Sequence, residues 1–206
     1  VEDVMDGVDS VFHGAGREDV DARMLGTGRP FVVEVEEPRR RNIDTERLEG
    51  DINAFADGKV EVEGLRLATH EMVERVKRHD ASKTYRAQVR FSEDVTVEQL
   101  RDALAELDGA TIEQETPQRV DHRRASLTRT REVYEIDGEL EDARTATITV
   151  HGAGGLYIKE LISSDEGRTK PSLAGLLGVD AEVTALDVLR VDGEDEPFED
   201  DDFFLE

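Results

Sequence analysis

The residues best placed to do chemistry are Arg17-Glu18-Asp19, a charged triplet set between glycines at 14 and 16 and glycines at 26 and 28. Glycine reaches backbone angles closed to other residues, so such a loop can hold a side chain at a fixed, exposed point. A carboxylate held there can serve as nucleophile, general base or metal ligand. Acidity alone marks nothing, because 50 of the 206 residues are Asp or Glu. Position has to choose between Asp19 and its near neighbour Asp21.

The loop needs a rigid base, and the chain supplies one immediately. Phe31, Val33 and Val35 alternate with Val32, Glu34 and Glu36, the period of a strand. Residues 1–13 read as a short strand or linker entering the loop. Asp44 and Thr45 can cap a helix in which Leu48, Ile52 and Phe55 share a face, closed by Asp57-Gly58. A strand over 59–63 and a short helix over 70–78 follow, the latter turning Met72, Val73 and Val76 inward. Residues 83–91 form a long strand with Tyr85, Ala87, Val89 and Phe91 on one side. The clearest helix spans 96–107, with Val97, Leu100, Ala103, Leu104 and Leu107 at helical spacing. Ile112 starts another strand, a basic segment runs over 119–131, and 132–136 with 144–150 read as a hairpin around Asp137-Gly138. Gly152-Ala-Gly-Gly155 breaks the sheet before a helix over 156–162. A small helix over 173–177 and a last strand over 182–191 complete the pattern. Strands interrupted by isolated helices predict an α+β fold, a largely antiparallel mixed sheet with helices on one face. The expected organisation is one catalytic domain over 1–191 and an acidic, mobile tail over 192–206, where Phe203, Phe204 and Leu205 are able to dock.

At this length the chain can bury a full core. No apolar run approaches a membrane span and no charged-then-apolar leader precedes the acidic start, so a cytoplasmic protein is expected. Absence of cysteine excludes disulfides and cysteine-ligated metal. Net charge is −24, the opposite of the usual nucleic-acid footprint. The basic residues are overwhelmingly arginine, and with few large hydrophobes and no Trp this composition fits a cytoplasm of very high salt. There the Debye length falls to about 3 Å and the self-repulsion of an acidic surface is screened.

Cofactor motifs fail one by one. Tyr157 stands where a dinucleotide fingerprint beginning at Gly152 needs its third glycine, and there is no P-loop. Position 74 is Glu where a zinc helix opening at His70-Glu71 needs histidine, and no Gly-x-Ser-x-Gly elbow exists. A carboxylate pair acting at an anomeric carbon stays open.

Gly16-Arg17-Glu18-Asp19 resembles the Gly-Arg-Thr-Asp signature around the catalytic aspartate of pseudouridine synthases. The longer run to Phe31 is similar to the archaeal and eukaryotic family that modifies uridines 54 and 55 in the TΨC arm of tRNA. Lys83-Thr-Tyr-Arg-Ala87, Gly155-Leu-Tyr-Ile-Lys-Glu-Leu161 and Asp165-Glu-Gly-Arg-Thr-Lys-Pro-Ser172 repeat the resemblance in the family's order. It implies a cleft between two lobes, tRNA as partner, base flipping and no cofactor or metal. Asp19 becomes the essential carboxylate and Tyr85 the ring that stacks on the target uracil and helps with the proton at C5. Lys159 becomes the cation beside Asp19, worth about 4 kcal/mol at 4 Å and an effective dielectric near 20. Tyr157 contacts substrate, Ile158 and Leu161 wall the pocket, and Arg17 meets a phosphate of the flipped nucleotide. Arg123, Arg124, Arg168 and Lys170 are weaker candidates for tracking the RNA backbone. The family's N-terminal RNA-binding region, with paired zinc cysteines, is expected to be missing from this chain. The rival reading is a non-catalytic RNA-binding module that keeps the fold.

Overall fold

A computed structural model describes residues 1–79, 81–123, 125–192, 198 and 200–205, with the backbone alone at 123. In chain order the elements begin α1 (Glu2–Met5), β1 (Asp9–Gly14), β2 (Ala22–Met24), β3 (Phe31–Glu36), α2 (Thr45–Ala56) and α3 (Glu71–Arg78). They continue β4 (Ser82–Phe91), α4 (Val97–Leu107), β5 (Thr111–Glu115), a 3₁₀ turn at Gln118–Arg123, β6 (Thr128–Asp142) and β7 (Thr145–Gly152). The last are α5 (Ile158–Ser163), β8 (Thr169–Lys170), α6 (Leu173–Leu177), β9 (Ala181–Asp192) and a 3₁₀ turn at Asp201–Phe203. No helix among the described residues is long and apolar enough to cross a membrane.

The chain divides into two compact units. One comprises 1–17, 29–79 and the described residues from 198 onward; the other comprises 18–28 and the described residues between 81 and 192. In the larger unit seven strands are ordered β2-β9-β4-β7-β6-β5-β8. Among the described residues β2 with β9 is the one parallel pair. Along β4, Tyr85, Ala87, Val89 and Phe91 are buried while Thr84, Arg86 and Gln88 are only partly covered, so one face of the sheet is dry. Leu100, Ala103, Leu104 and Leu107 of α4 join that core, with Ile158, Leu161 and Ile162 of α5 and Leu173 and Ala174 of α6. The α+β expectation is met in its architecture: a mostly antiparallel sheet with helices against its apolar face. Thr96 opens α4 with a reciprocal capping box to Gln99, which fixes where the helix begins.

Several expectations shift. Phe55 is 92% exposed and Val97 72% exposed, so neither joins the helix face assigned to it. Residues 59–63 form no strand. Their backbone finds a local partner instead: the Asn53 amide donates to Val62 O and accepts from Val62 N, both at 2.8 Å. The hairpin turns at 142–145, and Asp137-Gly138 lies inside β6. Gly138 is there for space, not for turning. A Cβ at 138 would lie 2.4 Å from Ile148 Cδ1 and 2.9 Å from Thr147 O, because β7 passes directly opposite. Gly138→Ala is therefore expected to cost about 1–3 kcal/mol by overpacking, read as a lower thermal midpoint. An unchanged midpoint would mean that β7 yields freely there.

In the smaller unit β1 and β3 pair antiparallel and α3 buries Met72, Val73 and Val76. Phe198, Phe203 and Phe204 pack against Met72, Val76 and Ala15. Thr69 N donates to Phe203 O at 2.8 Å and Leu205 N to Leu67 O at 2.9 Å. Phe203 and Phe204 thus dock on the smaller unit, as the apolar end of the acidic tail allows. Residues 193–197, 199 and 206 lie outside the described residues.

Candidate active site

The segment that carries Asp19 is tied to the larger unit's sheet within three residues. Ala22 N donates to Asp19 O at 3.0 Å, turning the chain into β2, and Leu25 N donates to Val188 O at 2.8 Å. Gly26 then passes so close to β9 that a Cβ would lie 2.0 Å from Leu189 O, at a φ of +66°. No other residue fits that crossing. A buried carboxylate ties these two strands to β4: Asp187 on β9 accepts Arg23 Nε of β2 at 2.7 Å and Arg86 Nη2 of β4 at 2.9 Å. The Arg23 hydrogen bond, with Arg86 adding to it against burial, holds Asp187 below the usual carboxylate range.

Two further segments bring cations to Asp19. The 3₁₀ turn after β5 presents Arg119, whose Nη1 donates to Asp19 Oδ1 at 2.6 Å. The other side of the guanidinium is taken by Glu160 of α5, with Nε donating to Oε1 at 2.6 Å and Nη2 to Oε2 at 3.2 Å. Glu160 is only 3% exposed, so its charge is balanced by this fork. Burial opposes the Arg119 charge, but the hydrogen bonds to Glu160 and Asp19 outweigh it and raise its pKa. One residue earlier on α5, Lys159 Nζ meets Asp21 at 2.7 and 2.8 Å and lies 3.8 Å from Asp19 Oδ2. The hydrogen bond from Lys159 lowers the Asp21 pKa.

On the far side of the triplet, Glu18 reaches β4. It accepts Lys83 Nζ at 2.5 Å and Tyr85 Oη–H at 3.2 Å. Lys83 and Glu18 are both largely enclosed, at 9% and 13% side-chain exposure. Tyr85 itself is 5% exposed, and burial first, then the Glu18 charge, pushes its phenol far above the ordinary range. The sign fixes a test. Between the ordinary value of 10.0 and the folded-state value, the unfolded chain has lost a proton that the folded one keeps. Tyr85 therefore lowers stability as pH rises past 10.0, the ordinary value. In an absorbance titration Tyr85 should not ionise until the protein unfolds, and Tyr85→Phe should remove that step. Three tyrosines ionising together before unfolding would contradict it.

Tyr157 is fixed through its backbone: its N–H donates to Gln114 Oε1 at 2.8 Å and its carbonyl accepts Gln114 Nε2 at 2.9 Å. Gln114 is fully buried, so this clamp sets where α5 starts. Leu161 is fully buried and presents no surface to a ligand in this structure. Arg17 is exposed and belongs to the smaller unit. Arg168 pairs with Glu115 at 3.1 Å and Lys170 is exposed on β8. Arg124 and the Arg123 side chain lie outside the described residues. Among the described residues no three His, Cys, Asp or Glu side chains gather as a metal ion would require. The carboxylates at 18, 19, 21 and 160 are each matched by a lysine or arginine, which is the reverse of a cation site.

The larger unit thus brings Asp19, Lys159 and Asp21 together, with Arg119 closer to Asp19 than Lys159 is. A family model described as "Pus10, C-terminal" matches residues 1–192, nearly the whole chain. The chain belongs to the Pus10 C-terminal family. The tRNA pseudouridine synthase Pus10 of Halorubrum lacusprofundi is 72% identical over 206 residues, covering 100% of this chain and 48% of that protein. Those of Methanothrix thermoacetophila and Archaeoglobus fulgidus are 53% and 51% identical, covering 94% and 89% of this chain and 42% and 50% of those proteins. The chain spans about half the length of the curated relatives it matches. Among solved structures, a chain of a Cbf5-Nop10-Gar1 complex is similar at a TM-score of 0.57 and 21% identity, over 95% of this chain and 44% of that one. That likeness concerns the fold.

Within this Pus10 family member, reading by sequence missed the parts played by Arg119, Glu160, Glu18 and Lys83. Arg119 was visible only as the first cation of a basic segment. Glu160 and Lys83 stand inside blocks that were read for their neighbours. Glu18 had a sharper signal, an acid where the signature has threonine.

Proposed function

We propose that this chain isomerises uridine to pseudouridine in tRNA, in the TΨC arm at positions 54 and 55, with Asp19 as the essential carboxylate. The observation that carries the reading is Asp19 held at 2.6 Å by Arg119 and flanked at 3.8 Å by Lys159, on a fold and in a family whose named members are tRNA pseudouridine synthases. The reaction cuts the N1–C1′ bond, turns the base and joins C5 to C1′. One proton leaves C5 and one is gained at N1, so the product is an isomer and no redox partner is called for. Asp19 either attacks the sugar or abstracts a proton. Arg119 occupies Oδ1, which leaves Oδ2, the oxygen nearer Lys159, for substrate.

The uridine has to leave its stack to reach this carboxylate, at a cost of a few kcal/mol. Stacking on an aromatic ring returns about 1–3 kcal/mol. Tyr85 is the ring assigned to that role, and a base that stacks on it must displace what now covers it. Tyr157 and Lys159 contact the nucleotide, Arg17 a phosphate, and Leu161 with Ile158 supports the pocket wall from the core. The test is to incubate unmodified tRNA transcript with the protein and map pseudouridine chemically. Conversion in the TΨC arm is expected; tRNA bound without conversion would favour a non-catalytic RNA-binding module.

Charge predicts how that assay responds to salt. Phosphate contacts normally weaken as salt rises, because they act by releasing counterions. At a net charge of −24 the stronger effect at low salt is long-range repulsion, of the polyanion from the protein and of the acidic surface from itself. Screening removes both, while stacking and short-range hydrogen bonds persist. Activity and thermal midpoint should therefore rise together from low salt toward molar potassium chloride, with Arg39–Arg41 and the 119–131 segment as the short-range contacts. A steady decline of activity from low salt would assign the acidity another cause.

A further inference from the structure

The residue before Asp19 is itself engaged with Tyr85, and this contact has a chemical consequence. We propose that Glu18 is a positioning residue that acts through Tyr85: it receives the phenol proton when Tyr85 takes the proton from C5, with Lys83 as its counter-charge. The inference rests on the isomerase reading above and deepens it.

The geometry is that of a relay. Tyr85 Oη–H donates to Glu18 Oε2 at 3.2 Å, and Glu18 Oε1 accepts Lys83 Nζ at 2.5 Å. Lys83 and Tyr85 sit two residues apart on β4, with their side chains on the same face, so one strand presents both to the same carboxylate. Isomerisation requires a base for C5 once C5–C1′ has formed. A buried phenol that stays protonated cannot accept a proton from carbon unless it gives up its own in the same step. The acceptor it touches is Glu18. In balanced form, the C5–H bond breaks and its proton passes to Tyr85 Oη as the electron pair returns to the ring. The Tyr85 proton moves to Glu18 Oε2, and Glu18 later releases it to water. N1 gains its proton from water, and the sum is an isomer. Lys83 matters because a carboxylate this enclosed is strongly disfavoured without a counter-charge. An ordinary buried ion pair would explain Lys83 with Glu18 alone; it does not explain why the second oxygen is spent on Tyr85.

The experiment is single-turnover conversion of a tRNA transcript made with ordinary uridine or with uridine deuterated at C5. Glu18→Gln keeps the size and the hydrogen-bond acceptor but cannot take the proton at neutral pH. Its rate should fall about 100-fold, tRNA affinity should stay near the wild-type value, and the deuterated substrate should react more slowly than the ordinary one by a larger ratio than in the wild type. Glu18→Asp should recover part of the rate and reduce that ratio. Tyr85→Phe with Glu18→Gln should be no slower than Tyr85→Phe alone, since the relay is already cut. An equal rate for Glu18→Gln and wild type, or a slower rate with no change in the isotope ratio, would overturn the proposal while leaving the isomerase reading intact. Should Glu18→Gln not fold, Tyr85→Phe must still raise the isotope ratio, and failure to do so overturns it. Wild-type protein that makes no pseudouridine at all removes both readings together.

Discussion

Asp19→Asn is expected to abolish pseudouridine formation, with a loss of about 10,000-fold or more, while tRNA binding should stay near the wild-type value. The substitution keeps the shape of the side chain and one oxygen for Arg119, so the loop should stay where it is. It removes the charge and the basicity on which attack or proton abstraction depends. Binding persists because one carboxylate makes no large share of the contacts to a tRNA. Asp21→Asn is the matched control, two residues on and on the same turn. Asp21 spends both of its oxygens on Lys159, at 2.7 and 2.8 Å, and is 71% exposed, so its loss should cost little beyond a freer lysine. Normal turnover by Asp19→Asn with failure of Asp21→Asn would reverse the assignment.

Arg119→Ala is expected to lower turnover about 100-fold and to do more damage than Lys159→Ala. This ordering comes from distance. Arg119 touches Asp19 Oδ1 at 2.6 Å with Glu160 fixing its orientation, whereas Lys159 is 3.8 Å away and already neutralised in part by Asp21. Arg119→Ala also strands Glu160, buried at 3% exposure, without its counter-charge, so the thermal midpoint should fall too. Arg119→Lys separates the two effects. A lysine can neutralise Glu160 or reach Asp19 but cannot fork across both, so stability should recover more than turnover does. Lys159→Ala proving the more damaging, with Arg119→Ala near wild type, would return Lys159 to the place that the resemblance gives it.

Much of the scaffold was legible because its signals are local. The capping box at Thr96 and Gln99, the alternation along β4 and the helical spacing of Leu100, Ala103, Leu104 and Leu107 are written within a dozen residues each. The misplaced hairpin turn had another origin. Asp137-Gly138 has turn chemistry, but whether it turns depends on Ile148 across the sheet, which leaves no room for a Cβ. The site divides in the same way. Asp19, Tyr85 and Lys159 could be named from blocks of sequence. The pairing of Arg119 with Asp19 joins residues 100 positions apart, and that of Glu18 with Tyr85 joins residues 67 apart. No periodicity links such positions, and among 50 acids a buried one looks like any other until its surroundings are known.

The most direct measurement of the central claim is release of tritium from tRNA labelled at C5 of uridine. Isomerisation must free the C5 hydrogen to water whatever route the base takes, so the signal does not depend on which mechanism is preferred. The wild-type chain in molar potassium chloride is expected to release tritium in step with pseudouridine formed, and Asp19→Asn to release none. Tritium retained by wild-type protein that has bound the tRNA would contradict an isomerase centred on Asp19.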